Sequence, residues 1–224
     1  MSRWSLTNNP ACPLCHGTDV VDYHRDAHRE YLNCRTCNLV FVPPSQHLSV
    51  GDGKAYYDLH DNRPDDPGYR HFLDRLFTPL NQRLKATAHG LDFGCGPGPT
   101  LSGMLEEAGH SVALYDPYYA PDDSVLSANY DFVTLSEVIE HLAEPGLELD
   151  RLWNSLRSGG WLAIMTKRVR DPDAFKTWHY ITDPTHICFF SEETFRWLSG
   201  RWALMETPAT LVIAGDDVVL VEKG

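Results

Sequence analysis

Apolar residues recur with two different periods along this chain, and the change from one period to the other marks its parts. Over 69–84, Phe72, Leu73, Leu76, Phe77, Leu80 and Leu84 return at three- and four-residue intervals, which predicts an amphipathic helix with Pro79 as a kink. Short apolar runs then alternate with helical stretches. Residues 90–93, 111–115 ("SVALY"), 130–135 ("YDFVTL") and 161–166 ("WLAIMT") read as strands. Residues 100–108, stopped by Gly109, and the stretch holding "EPGLELDRLWNSL" read as helices, and "RSGG" as a turn. "SEETFRWLSG" predicts a helix with Ser191 as its cap and acidic residues in its first turn. After it, "WALMET" and "TLVIAGDDVVLVEK" read as closing strands, the second a hairpin over "GDD". Strands alternating with helices predict an α/β fold: a mostly parallel sheet covered on both faces and closed by an antiparallel hairpin.

Upstream the periodicity is missing. Residues 12–42 are rich in cysteine and histidine, and 43–68 in Pro, Gly and Asp ("PPSQ", "GDGK", "RPDDPG"), the composition of a connecting segment. The expected division is a small module over 1–45, a linker and helical segment over 46–88, and the main domain over 89–224.

Cys12-x-x-Cys15 and Cys34-x-x-Cys37 stand 18 residues apart. Two such pairs let two tight knuckles offer four thiolates to one tetrahedral ion, which predicts a structural zinc ribbon. His16, His24 and His28 lie nearby, but four thiolates already fill such a site. A ribbon of roughly 30 residues cannot build a stable core alone, so the ion is expected to hold it together.

Charge changes the picture for this module. Residues 1–42 carry four basic side chains (Arg3, Arg25, Arg29, Arg35) and four acidic ones (Asp19, Asp22, Asp26, Glu30), and the whole chain of 224 residues has a net charge of −12. Nucleic-acid binders draw much of their affinity from basic surface, so this balance argues against nucleic acid as the partner. No apolar run approaches the ~20 residues of a membrane helix, and the N-terminus lacks the pattern of a secretory signal. The expected location is the cytoplasm, where cysteines stay reduced.

"LDFGCGPGPT" places Gly94, Gly96 and Gly98 between a strand and a helix, where glycine lets a ligand approach the backbone closely. A dinucleotide fingerprint would need glycine at position 99, which is Pro99. Asp116 follows Gly94 by 22 residues and ends the next strand, where a carboxylate can accept hydrogen bonds from two ribose hydroxyls. Both features fit an adenosine ligand without a pyrophosphate.

"LDFGCGPG", the acidic residue ending the next strand, "YDFVTLSEVIEHL", "LRSGGWLAIMT" and "HICFFSEETFRWL" together resemble the ordered motifs of class I S-adenosylmethionine-dependent methyltransferases, especially the branch of the ubiquinone-biosynthesis O-methyltransferases. The resemblance spans about 69–224 and implies a Rossmann-like sheet. It implies that Asp92, Gly94, Gly96 and Gly98 surround the methionine end of S-adenosylmethionine, that Asp116 holds the ribose, and that Leu135, Ser136 and Glu137 line the pocket below the sulfonium. One departure stands out. The family has a helix, a strand and a further helix between the ribose carboxylate and the fourth strand, but here only 13 residues separate Asp116 from Tyr130. The usual acidic contact to adenine has no counterpart here, with Ser127 or Asn129 as a candidate replacement, and Tyr118 and Tyr119 are candidates to flank the ring.

Methyl transfer needs alignment, proton removal and exclusion of water rather than one fixed catalytic residue. "SEVIEHL" supplies Glu137, Glu140 and His141, which share a face if a helical turn begins there; the related ubiquinone enzymes carry a similar E-x-x-E-H associated with magnesium. The competing reading is acidic residues at a dipole-favoured helix start with His141 bonded inside the loop; general base is a separate role for His141. "KTWHYITDPTHICFF" (176–190) follows the fifth strand and offers Trp178, His179, Tyr180, Asp183 and His186 as an acceptor surface, with His179, Asp183 and His186 as proton acceptors. "KAYYDLHDN" adds Tyr56, Tyr57 and His60 as weaker candidates. The leading reading is methyl transfer to a small molecule under the 176–190 loop. The alternatives are an RNA methyltransferase gripping its substrate with the ribbon, and a zinc-dependent interaction module that binds cofactor without turnover.

Overall fold

Three short strands follow the first cysteine pair: β1 (Val20–Arg25), β2 (Glu30–Cys34) and β3 (Val40–Phe41), antiparallel in that order. They come from a computed structural model that describes residues 10–58, 63–205 and 208–224. The connecting segment that follows forms helix α1 (Val50–Tyr57), capped by Ser49, whose hydroxyl accepts from Asp52 N at 3.2 Å. Helix α2 (Pro67–Asn81) starts at the cap Asp66 with Pro67 in its first turn and buries Leu73, Leu76 and Leu80, the spacing the sequence predicts.

The main sheet has six strands in the order β5-β4-β6-β7-β10-β9, formed by β4 (His89–Phe93), β5 (Ser111–Tyr115), β6 (Tyr130–Ser136), β7 (Leu156–Met165), β9 (Ala209–Ala214) and β10 (Val218–Lys223). The first four are parallel and the closing hairpin is antiparallel, as expected. Alternation along each strand sorts the core. Phe132, Trp161, Ala163, Met165, Val218 and Leu220 face α2 and α3 (Thr100–Glu107); Val133, Leu135, Leu162, Ile164, Val219 and Val221 face the other layer. That layer holds α4 (Pro145–Ser155) and α6 (Glu192–Met205), whose Trp153 and Trp202 rings stack at 4.5 Å. Short α5 (Pro172–Phe175) opens the loop after β7. Strand β5 sits at the sheet edge, and the 117–129 connection contains only a 3-10 turn (Asp123–Ser127), so the family's third strand is absent among the described residues.

Two local expectations are corrected. "WALMET" is not a strand: α6 runs on to Met205, because Trp202 continues the buried face of Phe195 and Leu198 and its Nε1 donates to Asp150 on α4 at 2.9 Å. "RSGG" is not a free turn: it begins β7 as a bulge, with Gly159 at φ +76° and a register shift opposite 130–132.

The ribbon is not a free appendage. Strand β8 (Cys188–Phe189), from the loop before α6, pairs with β3, so the small sheet runs β1-β2-β3-β8 and takes its last strand from the main domain. Its Leu14 carbonyl lies where any Cβ on Gly146 would fall, at 2.3 Å, so the start of α4 can meet the first knuckle only through glycine. Leu14, Leu39, Phe41 and Phe189 join one core cluster with Leu149 and Phe195. Ser191 caps α6 as predicted, its hydroxyl accepting from Thr194 N at 3.1 Å.

Candidate active site

At the carboxyl ends of β4, β5 and β6 the backbone opens a cavity of about 630 Å³, at the point where the strand order reverses. The glycine loop makes one wall. Gly94 and Gly96 both have positive φ (+75° and +65°), and a Cβ on Gly94 would come within 2.5 Å of Val138. Asp116, at the end of β5, fixes that wall. Its Oδ2 accepts from Gly96 N at 3.1 Å, and Oδ1 accepts from Tyr118 N and Tyr119 N at 2.8 and 3.1 Å. Asp92 lies deeper, its two oxygens taking the hydroxyls of Thr134 and Ser102 at 2.7 Å each; burial raises its pKa. Gly98, Tyr118, Tyr119, Ser136 and Glu137 also line the cavity.

Leu135 is wholly buried in the sheet and does not reach the cavity wall. Ser127 and Asn129 are exposed and stand away from it. Cys95 lines it, with its thiol pushed up to about 12 by burial.

Glu137 does not begin a helical turn. It takes φ +53°, a left-handed conformation few non-glycine residues adopt, and the 3-10 turn starts only at Ile139. Glu137, Glu140 and His141 therefore do not share a helical face. The two carboxylates meet instead through Tyr180, whose hydroxyl faces Glu137 Oε2 at 3.1 Å and Glu140 Oε1 more closely. One hydroxyl proton cannot serve two anions. Burial, reinforced by their mutual repulsion, lifts Glu137 to about 8, and burial lifts Glu140 to about 7.

The 176–190 loop supplies the opposite wall. His141, Asp183 and His186 line the cavity together, and the His141 and His186 ring centroids are 4.8 Å apart. Each imidazole is oriented by a backbone carbonyl: His141 Nδ1 lies 3.1 Å from Thr185 O, and His186 Nδ1 lies 2.8 Å from Tyr180 O. A carbonyl only accepts, so the His186 Nδ1 carries the proton and its Nε2 presents a lone pair, 3.8 Å from Asp183 Oδ2. Burial, with the charge of His141, pushes His186 down to about 4, so it is neutral at physiological pH. His179 is different: it is exposed, beside Lys167, and does not line the cavity. Trp178 packs on Tyr180 at 4.9 Å. Tyr57 lines the cavity with its ring edge-on to His141, whereas Tyr56 is exposed and His60 lies outside the described residues.

Donor atoms of Glu140, His141 and His186 converge to within 4.8 Å, a different set from Glu137, Glu140 and His141. Two imidazoles of three donors do not suit magnesium, which demands oxygen ligands, and no magnesium step is derived. The cysteines are another matter. Sulfurs of Cys12, Cys15, Cys34 and Cys37 all lie within 4.8 Å of one another, with Cys12–Cys37 at 3.5 Å and Cys15–Cys34 at 3.4 Å, a donor set that fits one tetrahedral thiophilic ion.

Tyr69 and Phe72 of α2 also wall the cavity, and sequence reasoning read them only as part of a helix face. Arg29 was equally unmarked, as one of four basic residues in a neutral segment. Its guanidinium is buried and donates to the carbonyls of Ile181, Asp183, Pro184 and His186, behind the acceptor wall.

Solved structures with a related chain path include an O-methyltransferase family protein from Burkholderia thailandensis (13% identity, TM-score 0.49, 76% of this chain and 59% of that one). Others are the 1,6-didemethyltoxoflavin-N1-methyltransferase of the same organism (17%, 0.48, 90% and 98%) and the PH0226 protein of Pyrococcus horikoshii OT3 (14%, 0.47, 76% and 99%). This chain thus spans about three fifths of the length of the first. A search among curated proteins by sequence found no match. No helix among the described residues is long and apolar enough to cross a membrane. A family model described as a methyltransferase domain matches residues 62–201, which hold the glycine loop, Asp116, the 136–142 turn and the acceptor loop; the chain belongs to this methyltransferase-domain family.

Proposed function

We propose that the enzyme methylates a small organic acceptor bound between the glycine loop and the 176–190 loop. The observation that carries this reading is a single cavity with an adenosine-type wall at Gly94–Gly98 and Asp116, and a proton-accepting, partly aromatic wall at His141, Asp183, His186 and Tyr57. S-adenosylmethionine supplies a methyl group on a sulfonium, a strong electrophile. Asp116 accepts the ribose hydroxyls, the loop backbone approaches the methionine end, and Tyr118 and Tyr119 border the adenine. His186 Nε2 takes the acceptor's proton as the nucleophile attacks, and the resulting imidazolium is stabilised by Asp183. Tyr69 and Phe72 keep water from the reacting atoms.

Zinc is the ion proposed for the four cysteines, in a structural role. The ribbon is a poor RNA grip: of the three arginines described in 10–42, Arg29 is buried, Arg25 is exposed but paired with Glu30, and Arg35 is exposed. Incubation with methyl-labelled S-adenosylmethionine and separated small-molecule, RNA and protein fractions is expected to label the small molecules. Label in RNA alone would sink the reading, and cofactor binding without label in any fraction would favour an interaction module. Asp116→Ala should weaken S-adenosylhomocysteine binding by roughly tenfold or more, since each hydrogen bond to a charged group contributes about 1.5–3 kcal/mol, and should lower the unfolding temperature too, because Gly96 N, Tyr118 N and Tyr119 N lose their acceptor. An unchanged dissociation constant by calorimetry would remove Asp116 from the cofactor site.

A further inference from the structure

The backbone of residues 180–186 turns its carbonyls toward side chains on both sides, and six of them have identifiable donors. Tyr180 O faces His186 Nδ1 and Thr185 O faces His141 Nδ1, on the cavity side. Arg29 takes the rest from behind: Nη1 donates to Pro184 O at 3.2 Å and His186 O at 2.9 Å, and Nη2 donates to Asp183 O at 2.9 Å and Ile181 O at 2.5 Å. Four carbonyl dipoles aimed at one point repel each other unless a cation sits there. A planar guanidinium is the side chain whose fork reaches all four at once.

Arg29 is itself held from the ribbon. It stands at the head of β2, 9% exposed, with its guanidinium 5.5 Å over the Tyr31 ring. Asp26 Oδ1 accepts from Arg29 N at 2.7 Å, and Asp26 Oδ2 accepts from Tyr31 O–H at 2.7 Å. The hairpin that displays Arg29 belongs to the sheet that β8 continues, and β8 is the last part of the acceptor loop. Ribbon and loop are therefore tied at both ends of the 181–189 stretch.

Resting on the small-molecule reading above, we infer that Arg29 is a positioning residue for methyl transfer: by gathering the 181–186 carbonyls it fixes the loop shape that orients His186 and Asp183 toward the acceptor, which makes the ribbon part of the working site. Arg29 touches neither cofactor nor acceptor. It acts through the backbone whose Tyr180 carbonyl sets the His186 tautomer.

The test compares parent, Arg29→Lys, Arg29→Gln and Arg29→Ala in the full chain with its metal bound. Three readouts are needed: S-adenosylhomocysteine affinity, ring-nitrogen NMR of His186, and transfer of labelled methyl to the small-molecule fraction. The groups facing His186 are His141, Asp183, Tyr180 and Arg29, and the first three are kept in every variant. Cofactor affinity should stay within about twofold, because Arg29 lies outside the cofactor wall. His186 should change from one fixed Nδ1–H form to a mixture of tautomers, a change that a merely structural role for Arg29 would not produce. Transfer should fall roughly tenfold or more in Arg29→Ala, through kcat rather than the KM for S-adenosylmethionine, and added guanidinium should restore part of it. Arg29→Lys keeps charge without the fork and should fall between. If Arg29→Ala does not fold, Arg29→Lys and Arg29→Gln carry the same readouts. An unaltered His186 spectrum in folded variants overturns the inference, whatever the acceptor proves to be. Absence of label from every fraction with the parent enzyme would instead count against the small-molecule reading alone.

Discussion

Stripping the metal from the four-cysteine knuckle is expected to lower the unfolding temperature by on the order of 10 °C and to loosen the acceptor loop at the same time. Structural zinc sites have apparent binding energies of roughly 10 kcal/mol and more, and even a third of that, at about 2–4 °C per kcal/mol for a chain of this size, reaches such a shift. Local structure explains why the thiols alone cannot hold the knuckle. Burial pushes the Cys15 thiol up to about 12, while the hydrogen bond from Cys37 lowers Cys12 to about 6, and without a cation the four sulfurs offer one another only weak contacts. The damage should spread by a defined route. Strand β3 would lose its place beside β8, freeing Phe41 and Phe189, and Val42 N would release Ile187 O, now 2.9 Å away. Hydrogen exchange should therefore speed up at 187–189 together with 30–42, while amides of β4 and β6 stay protected. The measurement is calorimetry and exchange before and after chelation, with metal loss verified, and Cys34→Ser as an independent route. An unfolding temperature that survives verified metal loss would show the ribbon to be held by its packing alone.

How far the sequence announced this arrangement depends on the range over which each signal acts. The cysteine pairs, the glycine loop and Asp116 are spacings within one turn or one strand–helix unit, so their geometry is set locally and legible in the chain. The short 117–129 connection is likewise a matter of counting, and β5 is an edge strand for that reason. What was not legible depends on contacts between distant segments. Residues 188–189 contribute a two-residue strand to a sheet begun more than 140 residues earlier, too short to leave a period of its own. Trp202 reads as a strand residue until Asp150 is known to bond its indole. Glu137 and His141 suggest a shared helical face because nothing local announces that Glu137 takes positive φ. His186 and Arg29 show the same limit more sharply. The sequence marks His186 as a proton acceptor in a loop, but the carbonyl that selects its tautomer and the guanidinium that gathers its neighbours' carbonyls come from tertiary structure.

Replacing Glu140 with glutamine should stabilise the protein at neutral and alkaline pH, by about 2–3 kcal/mol near pH 8, and leave it almost unchanged near pH 4.5. Glu140 is fully buried, its Oε1 bonded to Tyr180 and its Oε2 without a hydrogen-bond partner among the described residues. In the unfolded chain it titrates at an ordinary 4.5, whereas burial raises it to about 7 in the fold. Between those values the folded state binds more protons than the unfolded one, so stability declines as pH rises through this window, and the loss is complete above the folded value. Below 4.5 both states are protonated and the loss vanishes. Glutamine cannot ionise, keeps an oxygen to accept from Tyr180, and adds N–H groups that can donate toward Glu137, turning a pair of like charges into donor and acceptor. The expected result is an unfolding temperature about 4–10 °C above the parent at pH 8, converging with it at pH 4.5. A Glu140→Gln protein destabilised by the same amount at both pH values would mean that Glu140 is held as a compensated anion, and that the raised carboxylate pair bridged by Tyr180 does not exist.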